Sequence, residues 1–192
     1  MNELEKAQKG EYYNPNYSEE LINKRMIAQD ICHRYNNLQP SDILKRKEII
    51  KKLIVTKDSN FQLEQPIHFD YGENITIGDR FYSNYNLTIL DGAKVIFGND
   101  CFIGPNCSFY TAIHPIDYRL RNQGIEKAAP ITVGDNVWFG GNVTVLPGVT
   151  IGSNTVIGAG SVVTKDIPSS VVAAGNPCHV IRKIEEGTKN EK

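Results

Sequence analysis

No stretch of this chain approaches the roughly 18 apolar residues from which a membrane-spanning helix is built. Its first residues, MNELEKAQKGEYY, lack the apolar core of a secretory signal. Neither sign of charge dominates. The 21 basic and 22 acidic residues leave a net charge of −1, without the electrostatic footprint of a nucleic-acid-binding protein. The four cysteines (Cys32, Cys101, Cys107 and Cys178) form no C-x-x-C pair, which argues against both a zinc site and a disulfide framework. With these absences, a chain of 192 residues is expected to be a cytoplasmic protein of one domain plus an appendage, with no membrane or nucleic-acid partner.

What the chain does have is a period. Val133, Phe139, Val145, Ile151, Ile157 and Val163 recur every six residues, and Gly134, Gly140, Gly152 and Gly158 directly follow four of them. Four residues after each of the first five come Val137, Val143, Val149, Thr155 and Ser161. A helical stripe repeats near 3.6 residues and a strand near 2, so six requires short strands joined by sharp corners. Such arrays form a parallel β-helix. The pattern recurs upstream at Tyr71, Ile77, Ser83 and Ile89, then, shifted by two residues, at Phe97, Ile103 and Phe109. Together the three runs predict a little over four coils of eighteen residues, a prism ~20 Å tall. Asn99, Asn106, Asn136 and Asn154 suit its corners. Cys101 and Cys107 fall on inward positions, where a thiol acts as a small hydrophobe.

Two helices are predicted before the coil. Residues 18–36 place Leu21, Ala28, Cys32 and Tyr35 on one face, with Ser18 as N-cap. A second segment, opened by Pro40 and Ser41, carries Ile43, Ile50, Leu53 and Ile54. These helices are expected to cover the open strand edge of the first coil. The expected organisation is a helical segment over 1–58, the coil over 59–184 and a flexible tail over 185–192. Asp166-Ile167-Pro168 is expected to break the period, with a turn at Ala174-Gly175-Asn176-Pro177.

Between Phe109 and Ile131 the period disappears for about twenty residues, YTAIHPIDYRLRNQGIEKAAP, which gives a loop at 110–130. Insertions of that size in repeat arrays tend to fall on the binding face. This one carries His114, the side chain suited to accept a proton near neutral pH. One histidine is too few for a carbonic-anhydrase-like metal centre, so no metal is expected.

The stretches DYGENITIGDRFYSNYN (70–86), YTAIHPID (110–117), PITVGDNVWFGG (130–141), VIGAGSVVTKDIP (156–168) and AGNPCHVIRKI (174–184) resemble the maltose and galactoside O-acetyltransferases, a family of hexapeptide acyltransferases. The resemblance implies a mainly β fold, a left-handed parallel β-helix with a small N-terminal helical segment, assembled as a homotrimer. It also implies acetyl transfer from acetyl-CoA, bound in grooves between neighbouring prisms, to a small-molecule hydroxyl acceptor. On that basis His114 is the general base and Asn84 donates to the developing oxyanion beside the acetyl group. Trp138, Gly141 and Ala159 line the pantetheine arm, and Thr164, Lys165 and Arg182 lie toward the nucleotide. On the acceptor side the family's acidic residue ahead of the long helix is replaced by Asn16. Arg25 matches a sugar-side arginine, and Asp70, Tyr82 and Asp91 supply further polar groups. Gly92 stands where the galactoside enzymes carry an aspartate, and His179 where a cation is expected.

Three readings follow. One is an O-acetyltransferase of a sugar or similar hydroxyl compound. The second is a relative that acetylates an antibiotic or other non-sugar hydroxyl, and the third is a non-catalytic β-helical scaffold.

Overall fold

The computed structural model describes residues 1–56, 60–185 and 187. The expected boundary at residues 58 and 59 lies outside the described residues, as does the expected tail apart from Glu185 and Gly187. No helix among the described residues is long and apolar enough to cross a membrane.

The chain winds as a left-handed parallel β-helix of about six turns. Three sheets form its faces. The first contains Val55–Thr56, Ile75–Ile77, Val95–Phe97, Ile131–Val133 and Thr150–Ile151. The second runs through Gln62–Leu63, Tyr82–Ser83, Phe102–Ile103, Trp138–Phe139, Val156–Ile157 and Val171–Ala174, and ends on His179–Lys183. The third contains Ile67–Phe69, Leu87–Leu90, Ser108–Tyr110, Thr144–Val145 and Val162–Val163. Every pairing within these faces is parallel except the last, where His179–Lys183 turns back antiparallel on Val171–Ala174. The turn predicted at Ala174–Pro177 makes that reversal.

Short strands with one residue in and the next out explain the burial. From Ile77 to Val163, the residues of the six-residue register are all buried, and Cys101 and Cys107 are fully enclosed free thiols. Burial in this apolar interior pushes the Cys101 thiol up to about 12, so it fills space rather than reacting. An aromatic ladder climbs the axis: Phe81, Phe97, Phe109 and Phe139 meet edge-to-face at centroid distances of 5.1, 4.9 and 5.3 Å.

Several expectations need correction. The coils are not all eighteen residues long. Trp138 pairs with Val156, eighteen residues on, whereas Tyr82 pairs with Phe102, twenty residues on. The extra two residues lie at the corner from the third face to the first. There, Ile89 to Phe97 takes eight residues and Val145 to Ile151 takes six. That wide corner produces the two-residue phase shift seen in the sequence. Tyr71 is buried outside the coil, packed with Ala7, Tyr13 and Leu21. The period does break at Asp166-Ile167-Pro168, where Val163 to Ile167 takes four residues, but the coil goes on, because Ile167 still bridges Ile151 in parallel. The turn count exceeded expectation because the first and last coils lack the glycine-marked motif. Asn106, Asn136 and Asn154 take left-handed corner angles, but in the Asn99 corner Asp100 does so, while Asn99 Oδ1 accepts the Asp79 N–H at 2.9 Å.

Among the described residues, four helices accompany the coil. Helix α1 (Glu3–Gln8), unforeseen in the sequence, is closed by a capping box between Asn2 and Glu5. Helix α2 (Glu19–Asn36) starts on Ser18, whose hydroxyl accepts the Leu21 N–H at 3.3 Å. Helix α3 (Ile43–Ile50) starts on Asp42 rather than Ser41, and Ile43 points outward while Ile50 is buried. The short α4 (Tyr118–Arg121) lies in the insertion. The end of α2 closes the lowest coil. Tyr35 Oη donates to the Leu63 carbonyl at 2.6 Å, and the Asn36 amide exchanges two 2.9 Å bonds with the backbone of Ile67. The edge that would recruit a foreign strand is therefore occupied by side chains.

Phe97→Ala removes the ring at the middle of the aromatic ladder. A loss of about 3–5 kcal/mol is expected in urea unfolding at fixed protein concentration. A loss below about 1 kcal/mol would mean that the axis is loosely packed.

Candidate active site

The insertion leaves the third face after Tyr110 and returns at Ile131. Its stem is an antiparallel pair, Ala112–Ile113 with Lys127–Ala128, so His114 sits one residue beyond a hydrogen-bonded strand. The N-terminal residues tie the loop down from outside. Tyr13 and Glu126 exchange backbone hydrogen bonds at 2.8 and 2.9 Å, and Asn14 Nδ2 donates to the Gln123 carbonyl at 2.6 Å.

His114 is half-exposed, with its Nδ1 facing the Ile125 carbonyl at 3.2 Å. A carbonyl only accepts, so this contact places the neutral ring's proton on Nδ1 and leaves the Nε2 lone pair free. Nε2 lies 3.7 Å from Glu126 Oε2, and Glu126 Oε1 accepts the Tyr13 hydroxyl at 2.6 Å. Burial first, and then that bond to the carboxylate, push the Tyr13 phenol strongly up, so it remains a donor. The sequence reading missed Glu126 and Tyr13. Neither carries a motif, and only the long-range pairing of residues 13 and 126 brings them to the histidine.

Three of the expected acceptor-side residues gather near this pair. Asn16 Oδ1 accepts from Arg25 Nη2 at 3.2 Å. Arg25 acts on Asp70 through its charge, and Glu126 acts on Asp70 with the opposite sign. Asp70 is half-buried, and desolvation raises its pKa against the pull of Arg25. Gly92 has a local reason to be glycine, since a Cβ there would come 3.0 Å from the Tyr13 hydroxyl.

Asp91 behaves differently from the open pocket group expected of it. Its side chain is fully buried in the wide corner, where Oδ1 accepts the Asp70 and Tyr71 N–H groups at 3.1 and 2.9 Å. It supports Asp70 from beneath. Oδ2 has no hydrogen-bond partner among the described residues, and burial pushes this carboxyl up to about 7. A cavity of about 620 Å³ lies nearby under α1, bordered by Leu4, Tyr13, Leu21, Tyr71 and Lys94. It reaches Tyr13, but His114, Asp70 and Arg25 do not line it.

The remaining expected residues lie elsewhere on the prism. Asn84 occupies the corner between the second and third faces, following Tyr82–Ser83. Its Oδ1 accepts the Tyr85 N–H at 2.7 Å, which leaves Nδ2 without a partner among the described residues. Gly141 and Ala159 occupy the same edge higher up, and Tyr82 and the half-exposed Trp138 lie on the second face. Thr164 and Lys165 share the third-to-first edge with His114, and both are exposed. Arg182 is exposed on the added antiparallel strand, opposite Val172. Within one chain, His114 and Asn84 therefore stand on different edges.

Asp91 gives a pH signature. The folded carboxyl titrates near 7 and the unfolded one near 3.8, so between those values the folded chain holds the extra proton. Its contribution to stability is complete below the unfolded value and is lost as pH rises through about 7. Asp91→Asn should remove this loss. The variant should gain on the wild type by on the order of 2–4 kcal/mol between pH 4 and pH 8 in urea unfolding. A difference that does not change with pH would show that Asp91 titrates normally.

Comparison with known proteins agrees with this fold. Residues 6–56 match the family described as the maltose acetyltransferase hexapeptide capping motif, and residues 130–165 match the bacterial transferase hexapeptide family (six repeats). The galactoside O-acetyltransferase of Escherichia coli (strain K12) is 46% identical over 172 residues, covering 90% of this chain and 85% of that protein. A maltose O-acetyltransferase from Clostridium difficile 630 superposes with a TM-score of 0.92 at 48% identity, covering 97% of this chain and 99% of the other. A galactoside acetyltransferase in complex with coenzyme A gives 0.91 at 43% identity, covering 97% and 92%. At these identities and coverages the chain belongs to the maltose and galactoside O-acetyltransferase family of hexapeptide-repeat acyltransferases.

Proposed function

We propose that the protein transfers an acetyl group from acetyl-CoA to a hydroxyl of a sugar or similar small molecule, as a cytoplasmic homotrimer. The observation that carries this reading is the His114 ring, whose Nδ1 is held at the Ile125 carbonyl while Nε2 is free beside the Glu126 carboxylate. A base in that state accepts the acceptor's hydroxyl proton as the oxygen attacks the thioester carbonyl. The new C–O bond forms, the C–S bond breaks, and the proton passes from Nε2 to the departing thiolate. Asn16, Arg25 and Asp70 orient the acceptor, with Asp91 fixing Asp70 from below; Tyr82, on the second face, joins them across a contact between protomers.

The donor side fits an extended thioester arm. Trp138 offers an exposed ring next to Phe102 on the second face, and the edge at Gly141 and Ala159 carries almost no side chain. Thr164, Lys165 and Arg182 supply a hydroxyl and cations for the nucleotide phosphates. The free Nδ2 of Asn84 is a donor for the oxyanion. Because Asn84 and His114 occupy different edges, a working site needs the His114 edge of one protomer against the Asn84 edge of the next. A closed three-fold ring repeats that contact three times. The exposed Phe102, Trp138 and Tyr85 side chains are apolar surface available for such a contact.

Two experiments test this. His114→Ala should lower turnover by roughly 10²- to 10⁴-fold, measured by thiol release from acetyl-CoA, with cofactor binding little changed. Unaltered turnover would remove the base assignment. Co-assembly of equal amounts of His114→Ala and Asn84→Ala protomers should restore about a quarter of wild-type activity, because about three quarters of random three-fold rings are mixed and each of those regains one intact site of its three. Mixtures as inactive as their parents would place both groups in a site built by one chain.

A further inference from the structure

His114 and Glu126 present two proton acceptors to the same space. Glu126 Oε1 is taken by the Tyr13 hydroxyl at 2.6 Å, so Oε2 is the free oxygen, with no hydrogen-bond donor among the described residues. That oxygen lies 3.7 Å from His114 Nε2, beyond hydrogen-bonding length, and with Nδ1 protonated Nε2 has no proton to offer it. The carboxylate is also fixed in place. Its residue pairs with the Tyr13 backbone in both directions, at 2.8 and 2.9 Å, and its side chain is largely buried.

We propose that this pair reads two hydroxyls of one acceptor. The hydroxyl to be acetylated donates to His114 Nε2, and a second, on the adjacent or next-but-one carbon, donates to Glu126 Oε2. The inference rests on the acetyl-transfer reading of His114. A hydroxyl has one proton to donate, and a bond to a carboxylate is stronger than one to a neutral imidazole. A simple alcohol would therefore bind Glu126 and turn its proton away from the base. A second hydroxyl satisfies the carboxylate and leaves the first for Nε2. Oxygens in a gauche 1,2-diol or a syn 1,3-diol lie about 3 Å apart, so each reaches its own acceptor at roughly 2.7–2.9 Å. The second hydroxyl keeps its proton throughout. Its role is to bind and orient, and Tyr13 is a positioning residue that decides which carboxylate oxygen is free.

The surroundings suit a polyol. Glu126 faces Asp70 and Tyr71 as well as His114 and Tyr13, and Arg25 is the cation facing Asp70 and Tyr71. Gly92 leaves the space on the Tyr13 side free of a further side chain. The wall is thus made of acceptors and donors rather than apolar groups, which is what several neighbouring hydroxyls require.

The test is thiol release from acetyl-CoA with a methyl glycoside acceptor, each of its mono-deoxy derivatives, and a simple primary alcohol. With the wild type, removing one hydroxyl adjacent or 1,3-related to the acetylated position should lower kcat/KM by about 10- to 100-fold. The simple alcohol should be at least as poor. In the double variant Tyr13→Phe, Glu126→Leu, both partners of the 2.6 Å bond are removed, so no buried hydroxyl is orphaned. There the parent glycoside and that deoxy derivative should converge to within about threefold. Glu126→Asp on the native Tyr13 should recover part of the discrimination. A deoxy penalty that survives in the double variant would overturn the proposal. So would a wild type that turns over the simple alcohol as well as the glycoside, a result needing no variant. Failure of every hydroxyl compound to release thiol would instead remove the acetyl-transfer reading on which the proposal rests.

Discussion

Stacked coils that touch through their backbones leave no room for error at the corners, and the rest of the molecule follows from that closeness. A methyl group at Gly78 would lie 2.4 Å from the backbone of Gly98, and one at Gly104 would lie 2.6 Å from the backbone of Gly140. Contacts that short require each coil to sit directly on the one below, with its inward residues in line. The same stacking brings the four phenylalanine rings together along the axis. Two polar side chains at inward positions, Thr155 and Ser161, are satisfied locally. Thr155 Oγ1 donates to the Pro168 carbonyl at 3.1 Å, and the Gly175 N–H donates to Ser161 Oγ at the same distance.

A structure so intolerant within its register can carry chemistry only where the register is interrupted without being shifted. Tyr110 to Ile131 meets that condition. Phe102 pairs with Trp138 and Ser108 with Thr144, thirty-six residues on in both cases, so the insertion adds a full coil's length and the strands above resume in line. The prism supplies the stem at Ala112–Ile113, and the rest of the loop is held from outside. The segment ahead of α2 pairs with the loop at Tyr13 and Asn14. The helical cap therefore has two duties: closing the lowest strand edge through Tyr35 and Asn36, and holding the histidine loop against the coil.

Much of the fold was legible because hexapeptide periodicity is a local signal repeated many times. Each of Ile77, Ile103, Phe139 and Ile157 reports the same inward direction, and the glycines after them report the same close corner. The signal weakened where the local rule was broken. The eight-residue corner from Ile89 to Phe97 looked like a change of phase, and Tyr71 looked like a coil residue although it packs against α1 and α2. Helix α1 was missed because six residues are too few for a clear apolar face, even though Asn2 and Glu5 carry its capping signature.

The site was less legible than the fold. The sequence by itself determined a three-sided coil, a helical cap, one interruption and the histidine within it, since each of these is written in neighbouring residues. Only the tertiary structure decided that Glu126 and Tyr13 meet the histidine, that Asp91 is buried beneath Asp70, and that Asn84 stands on another edge from His114. The physical reason is distance along the chain. Periodicity fixes the direction of each side chain relative to its own coil, but the pairing of residues 13 and 126 depends on backbone groups more than a hundred positions apart finding one another. No spacing rule records that contact.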